Sequence, residues 1–174
     1  MKVLVLGASR GIGLEFVRQY AEAGDSVIAT ARDDEGIARL KALGATAFKL
    51  DVADPKSVSG LDWQLDGEKV DVALYVAGVF PQGGARTPPT QEEFDRTLHT
   101  NVLGAMQAIP QVTPMVEAAG AGKFVFITSG MAQIAGASLT VQQSVSAMRK
   151  AIAGLTSRHK GAFLDYDGSP ITSW

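Results

Sequence analysis

Short, continuous apolar runs alternate with amphipathic stretches along most of the chain. Residues 3–6, Val-Leu-Val-Leu, form the first run, as expected of a strand buried on both faces of a parallel sheet. Leu14, Phe16, Val17, Tyr20 and Ala21 then recur at helical spacing, and Gly24 is placed to end that helix. Residues 27–31, Val-Ile-Ala-Thr-Ala, make a second run. Ile37, Leu40 and Leu43 stripe a second helix over residues 35–43, closed by Gly44. Residues 47–50 predict a third strand, and Asp54-Pro55 an N-cap followed by proline at the first helical position. The stretch from there to Gly67 is short, polar and without a clear period. Residues 70–76 predict a fourth strand and residues 123–128 a fifth. Between them, Thr90 and Glu93 form a capping box for a long helix carrying Phe94, Leu98, Val102 and Met106, with Pro110 and Pro114 placed to bend or interrupt its far end. A second capping box, Thr140 with Gln143, opens a last helix striped by Val141, Val145, Met148, Ile152 and Leu155. Residues 161–168 read as a strand ending in an Asp-Gly turn.

Strands alternating with helices predict an α/β fold: a Rossmann-like, doubly wound parallel sheet with helices on both faces, in a single domain over residues 1–174. Such sheets bind ligands at the carboxyl ends of their strands, where the winding reverses. Gly7, Ala31, Asp51, Gly78 and Ser129 fall at those ends. After the first strand comes Gly7-Ala-Ser-Arg-Gly-Ile-Gly13, a G-x-x-x-G-x-G spacing rather than G-x-G-x-x-G. Strand, glycine-rich turn, helix is the layout that sets backbone N–H groups and a positive helix end against a pyrophosphate. Gly7 would turn the chain, Gly11 would admit the phosphates, and Gly13 would let the helix pack close to the sheet.

Composition narrows the function. The formal net charge is −2 with no long basic run, which argues against nucleic acid as a partner. There is no cysteine, hence no disulfide frame and no thiolate metal site, and two histidines are too few for a histidine-rich metal centre. Neither a signal peptide nor a membrane-spanning stretch is visible, so a soluble cytoplasmic protein without a membrane or metal role is expected.

Gly7-Ala-Ser-Arg-Gly-Ile-Gly13, Asp51-Val52, Val76-Ala77-Gly78, Asn101 and Ile127-Thr-Ser129 occur in the order found in short-chain dehydrogenases/reductases. The chain resembles that family over residues 1–130, and its tail resembles that of the small subgroup of C-signal-like members. The resemblance implies that Gly7, Ser9, Arg10, Gly11, Ile12 and Gly13 hold a cofactor pyrophosphate, that Asp51 and Val52 flank its adenine, and that Ala77 and Gly78 line the nicotinamide side. It implies catalytic roles for Asn101, holding a water of the proton relay, and for Ser129, hydrogen-bonded to the substrate oxygen. Val76 stands where the family often has asparagine. His99, Trp63 and Trp174 read as packing residues.

Charge bears on the cofactor. An acidic residue ending the second strand would bind ribose hydroxyls and repel a 2′-phosphate. Here Ala31 stands there, followed by Arg32, and Arg10 sits inside the glycine loop. Two guanidiniums suit a phosphate dianion, which favours NADP(H) over NAD(H). The alternative is that Asp33 or Asp34 answers Arg32.

The family's reaction needs a tyrosine and, four residues later, a lysine, and no Tyr-x-x-x-Lys exists in the chain. Ser146 and Lys150 have the right offset, but a serine hydroxyl is too weak an acid to take the role. Since the tail resembles the family's last helix and strand, the resemblance implies a catalytic helix, a further strand and a substrate loop missing near residues 132–139. These would need on the order of 30–60 residues. The expectation is a longer enzyme with an internal stretch left out: an NADP(H)-dependent oxidoreductase acting on a small carbonyl or alcohol, working as a homodimer or homotetramer. The alternatives are a catalytically inactive NADP(H)-binding sensor or signalling protein, and a fold fragment that only associates with a partner.

Overall fold

The computed structural model describes residues 1–84, 87–128 and 139–172. Five strands, β1 (Lys2–Leu6), β2 (Ser26–Ala31), β3 (Thr46–Lys49), β4 (Val72–Tyr75) and β5 (Lys123–Phe126), form one parallel sheet in the order β3-β2-β1-β4-β5. The helices are α1 (Gly11–Glu22), α2 (Asp34–Ala42), α3 (Pro55–Ser59), α4 (Leu61–Gln64), α5 (Gln91–Leu98), α6 (Gly104–Ala118) and α7 (Val141–Gly154). A π-helical turn, His99–Leu103, joins α5 to α6.

Alternation along each strand sorts the core into two layers. Val3, Val5, Val27, Ala29, Val72 and Leu74 face α1, α2 and α7. Leu4, Leu6, Ile28, Ala73 and Tyr75 face α3, α4 and α6. The polar stretch without a period folds as the two short helices α3 and α4. Asp54 caps α3 as expected, accepting from the Lys56 N–H at 3.0 Å, and Val58 and Leu61 are fully buried.

Both capping boxes form, at Thr90 with Glu93 and at Thr140 with Gln143. α7 lies on the α1 side of the sheet. Val145 and Ile152, at 0% and 4% exposure, enter that core, each burial contributing about 1.5–3 kcal/mol. Arg149 stacks 4.2 Å over the Tyr20 ring, and Lys123 Nζ donates to the Ile152 and Ala153 carbonyls at 2.9 and 3.1 Å.

Several expectations are corrected. Pro110 and Pro114 do not interrupt their helix; both lie inside α6, and the break falls earlier, at the π-turn. The carbonyls these prolines deprive of a donor, on Met106 and Pro110, belong to exposed residues, where solvent can satisfy them. Phe94, Leu98, Val102 and Met106 are 43–63% exposed, an apolar stripe on the surface. Trp63, expected to pack, is 83% exposed on α4; Trp174 lies outside the described residues. Among the described residues the tail adds no strand to the sheet, and a single antiparallel bridge, Leu164 to Pro170, closes its turn. Among the described residues no helix is long and apolar enough to cross a membrane.

Candidate functional site

The chain winds outward from β1 through β2 to β3, returns to β1's other side, and winds the opposite way through β4 to β5. That reversal opens a crevice at the carboxyl ends of β1 and β4, where doubly wound sheets take their ligands. Gly7 leaves β1 with φ +88° and packs so closely that a Cβ on it would lie 2.5 Å from Ala77 Cα. Its N–H donates to Thr30 Oγ1 at 3.1 Å, and the Ala8 N–H donates to the Thr30 carbonyl at 2.8 Å. Thr30, 1% exposed, thereby ties the loop to β2. Nothing in the sequence marks this anchor, since a threonine in an apolar run reads as one more β-branched strand residue.

α1 begins at Gly11, with Arg10 as an extended N-cap residue whose side chain makes no capping bond. Its first turn carries no acidic residue, so its opening N–H groups and the positive end of the helix dipole are left for an anion. A Cβ on Gly13 would stand 2.3 Å from the Gly7 carbonyl oxygen, whereas a Cβ on Gly11 would meet nothing within 4 Å. The loop is thus closed beneath by Gly7 and Gly13 and open at Gly11, with Ser9 and Ile12 half-buried between. A pyrophosphate fits such a cradle in charge and in shape.

On the β2 side Arg32 is exposed, and the two carboxylates that could answer it are committed elsewhere. Asp33 caps α2, accepting from the Gly36 N–H at 2.6 Å, and Asp34 pairs with Lys49 at 3.1 Å. Neither Arg10 nor Arg32 has an ion-pair partner among the described residues. A third guanidinium, which no motif singles out, reaches the loop: Arg39 Nε donates to the Ser9 carbonyl at 3.2 Å while its Nη1 pairs with Glu35. Gly36 makes the approach possible, since a Cβ there would lie 3.0 Å from Ser9 Cβ.

After β3, Asp51 is held in a tight turn. Its N–H donates to Ser57 Oγ at 3.0 Å and its Oδ1 accepts from the Ala53 N–H at 3.0 Å. Val52 is 4% exposed. After β4, Ala77 is half-buried and Gly78 exposed. Asn101, in the π-turn, clamps the next residue at two points: its Oδ1 accepts from the Val79 N–H at 2.8 Å and its Nδ2 donates to the Val79 carbonyl at 2.9 Å. Ser129 lies outside the described residues. The remaining predicted residues therefore gather on one rim, from the glycine loop past Arg32, Asp51 and Val52 to Ala77, Gly78 and Asn101.

No phenol on this rim is placed to move a proton. Tyr20 is 2% exposed beneath Arg149, and burial pushes its hydroxyl pKa up. Tyr75 is 3% exposed in the core, and Tyr166 sits on the tail. Ser146 and Lys150 line a groove beside Arg18, Gln19 and Glu22, at the far end of α1 from the loop. His99 Nδ1 donates to the Asp95 carbonyl at 2.7 Å, an ordinary helix contact.

The short chain dehydrogenase family model matches residues 1–161. A 3-amino-tetrahydro-pyrrolizinone reductase from Xenorhabdus hominickii is 32% identical over 139 residues, covering 76% of this chain and 47% of its own length. Short-chain dehydrogenase reductase 3a of Arabidopsis thaliana is 29% identical over 170 residues, covering 94% of this chain and 65% of its own. Among solved structures, a short-chain dehydrogenase from Streptomyces avermitilis superposes with a TM-score of 0.67 at 29% identity, covering 92% of this chain and 61% of that one. The chain spans about half the length of several curated relatives it matches.

Proposed function

The chain belongs to the short-chain dehydrogenase/reductase family, and from that premise we propose that it is the nucleotide-binding part of an NADP(H)-dependent oxidoreductase acting on a small carbonyl or alcohol. The observation that carries this reading is the glycine cradle with two guanidiniums beside it, Arg10 and Arg32, that have no ion-pair partner among the described residues. Gly11, Ile12 and Gly13 would bind the pyrophosphate through backbone N–H groups, while Arg10 and Arg32 would take the ribose 2′-phosphate. The commitment of Asp33 to a helix cap and of Asp34 to Lys49 supports the phosphate over the bare ribose.

Asp51 and Val52 would flank the adenine, and Ala77 and Gly78 the nicotinamide. When bound, the cofactor supplies or accepts the hydride at the substrate carbon. Asn101 would fix the nicotinamide wall through Val79, and Ser129 would hydrogen-bond the substrate oxygen. The proton donor belongs, in this reading, to a stretch missing near residues 132–139 that the 174-residue sequence does not carry. Two features support such a stretch. A right-handed crossover running outward from β5 belongs on the α6 face, yet α7 packs on the α1 face. The outer edge of β5 has no strand partner among the described residues. The exposed stripe on α5 and α6 supports a homodimer or homotetramer, and a cytoplasmic location completes the reading.

The lack of any Tyr-x-x-x-Lys favours one second reading, an NADP(H)-binding sensor without turnover. Intact mass of the protein isolated from its own cells, followed by NADPH oxidation with a panel of aldehydes and ketones, separates the two. A mass several kDa above the 18.2 kDa of this sequence, with turnover, supports the oxidoreductase. A mass of 18.2 kDa with NADPH bound and no turnover leaves the sensor.

A further inference from the structure

Tyr75 closes β4, in register with Leu6 on one side and Phe126 on the other, and is 3% exposed. Its phenol does not stop in the core. The hydroxyl crosses to the helix layer and donates to the Thr100 carbonyl at 2.7 Å. In a regular α-helix the Gly104 N–H would bond to that carbonyl, four residues back. Here the Gly104 N–H bonds instead to the His99 carbonyl, five residues back. Gly104 also leaves room for the phenol, because a Cβ on it would lie 2.7 Å from Tyr75 Oη and 2.6 Å from the Val52 carbonyl oxygen. The next residue after Thr100 is Asn101, whose amide grips Val79 through both its N–H and its carbonyl.

We propose that Tyr75 is a positioning residue for the nicotinamide end of the crevice: its hydroxyl holds the π-turn open, and the turn presents Asn101 to the segment from Ala77 to Val79. This rests on the nicotinamide-nucleotide reading of the site. The chain of contacts is continuous and each link is a buried or two-point hydrogen bond. Without the phenol, the Thr100 carbonyl, on a residue 5% exposed, is left to recover a helical partner. Closing the π-turn to an α-turn takes up one residue and rotates Asn101 away from Val79 by about 100°. Burial, and after it the Asp51 carboxylate, push the Tyr75 pKa up, so the group remains a donor across the physiological range.

The test is Tyr75→Phe, which keeps the ring and its packing 5.7 Å from Phe126 and removes one oxygen. NADPH spans the whole crevice, whereas 2′,5′-ADP occupies only the end at the glycine loop. Loss of one buried hydrogen bond corresponds to about a tenfold change in an equilibrium. The variant is therefore expected to bind NADPH about tenfold more weakly, to bind 2′,5′-ADP within about twofold of the original, and to exchange the Val79 amide about tenfold faster. Asn101→Ala, acting at the last link, is expected to reproduce the pattern. Equal loss for both ligands, or an unchanged NADPH affinity with Val79 still protected, overturns the proposal. If the unaltered protein binds neither ligand, the nucleotide reading fails, and Val79 exchange alone still decides whether Tyr75 holds the clamp.

Discussion

Gly13 sits in the first turn of α1, where alanine would ordinarily be the better residue by about 1 kcal/mol. The structure reverses that sign. The new Cβ would lie 2.3 Å from the Gly7 carbonyl oxygen and 2.9 Å from Ala8 Cα. Both obstacles are backbone, in a loop tied to β2 through Thr30 and seated against Ala77, so no side chain can swing aside. Relief requires α1 to lift by about 1 Å from the sheet, an overpacking cost of about 1–3 kcal/mol, here at its upper end. Subtracting the helix gain leaves Gly13→Ala destabilised by about 1–2 kcal/mol, or about 2–8 °C in Tm for a chain of this size. Gly11→Ala makes a useful contrast. Its Cβ meets nothing within 4 Å, but its φ of +57° is left-handed, costing about 1–2 kcal/mol, and the methyl would stand where a phosphate must approach. Thermal melts with parallel NADPH titrations check both. Gly13→Ala should lose stability and affinity together, whereas Gly11→Ala should lose affinity out of proportion to its Tm. A Gly13→Ala protein as stable as the original, with the same NADPH affinity, would refute the close-packing argument.

Arg39→Met keeps the aliphatic stem but removes the donor to the Ser9 carbonyl, a long contact at 3.2 Å; NADPH affinity should fall about threefold to tenfold by isothermal titration, as for one ordinary net hydrogen bond of about 0.5–1.5 kcal/mol. Lys123→Met removes the ammonium that caps the Ile152 and Ala153 carbonyls, and should cost about 1 kcal/mol, about 2–4 °C by differential scanning calorimetry. Glu15 has its pKa lowered, first by its hydrogen bond to Arg18, with Gln19 adding to this against the opposing effect of burial. Its stabilisation is present above the ordinary value of 4.5 and is lost as pH falls below it through the folded-state value. The acid limb of a Tm-against-pH profile should therefore flatten in Glu15→Gln, and an unchanged limb would remove Glu15 from the acid response.

Much of the fold is legible from local pattern. β1, β2 and β4 are buried on both faces and read as apolar runs, Asp54, Thr90 and Thr140 announce their helices, and Gly24 and Gly44 close theirs. What local pattern misses depends on the partner across space. Phe94, Leu98, Val102 and Met106 have core periodicity, yet their helix face is uncovered. Pro110 and Pro114 read as breakers because the exposure of their freed carbonyls is not visible in sequence. Residues 161–168 have the alternation of a strand but pair with no strand of the sheet among the described residues. In the site, the glycine loop, Asp51-Val52, Ala77-Gly78 and Asn101 are legible because each sits at a strand end or on a recognisable motif. Thr30, Arg39 and Tyr75 are not, because each acts on a backbone group more than twenty residues away. That Arg32 has no ion-pair partner among the described residues follows from where Asp33 and Asp34 turn, at the cap of α2 and toward Lys49, which depends on the folded chain.

The most direct measurement of the central claim is a pair of titrations, NADPH and NADH, against the unaltered protein and an Arg10→Ala, Arg32→Ala double variant. Two guanidiniums on a 2′-phosphate predict NADPH bound at least about tenfold more tightly than NADH, with the gap closing in the double variant. Equal affinity for the two nucleotides in the unaltered protein, or a preference for NADPH that survives loss of both arginines, would contradict the account.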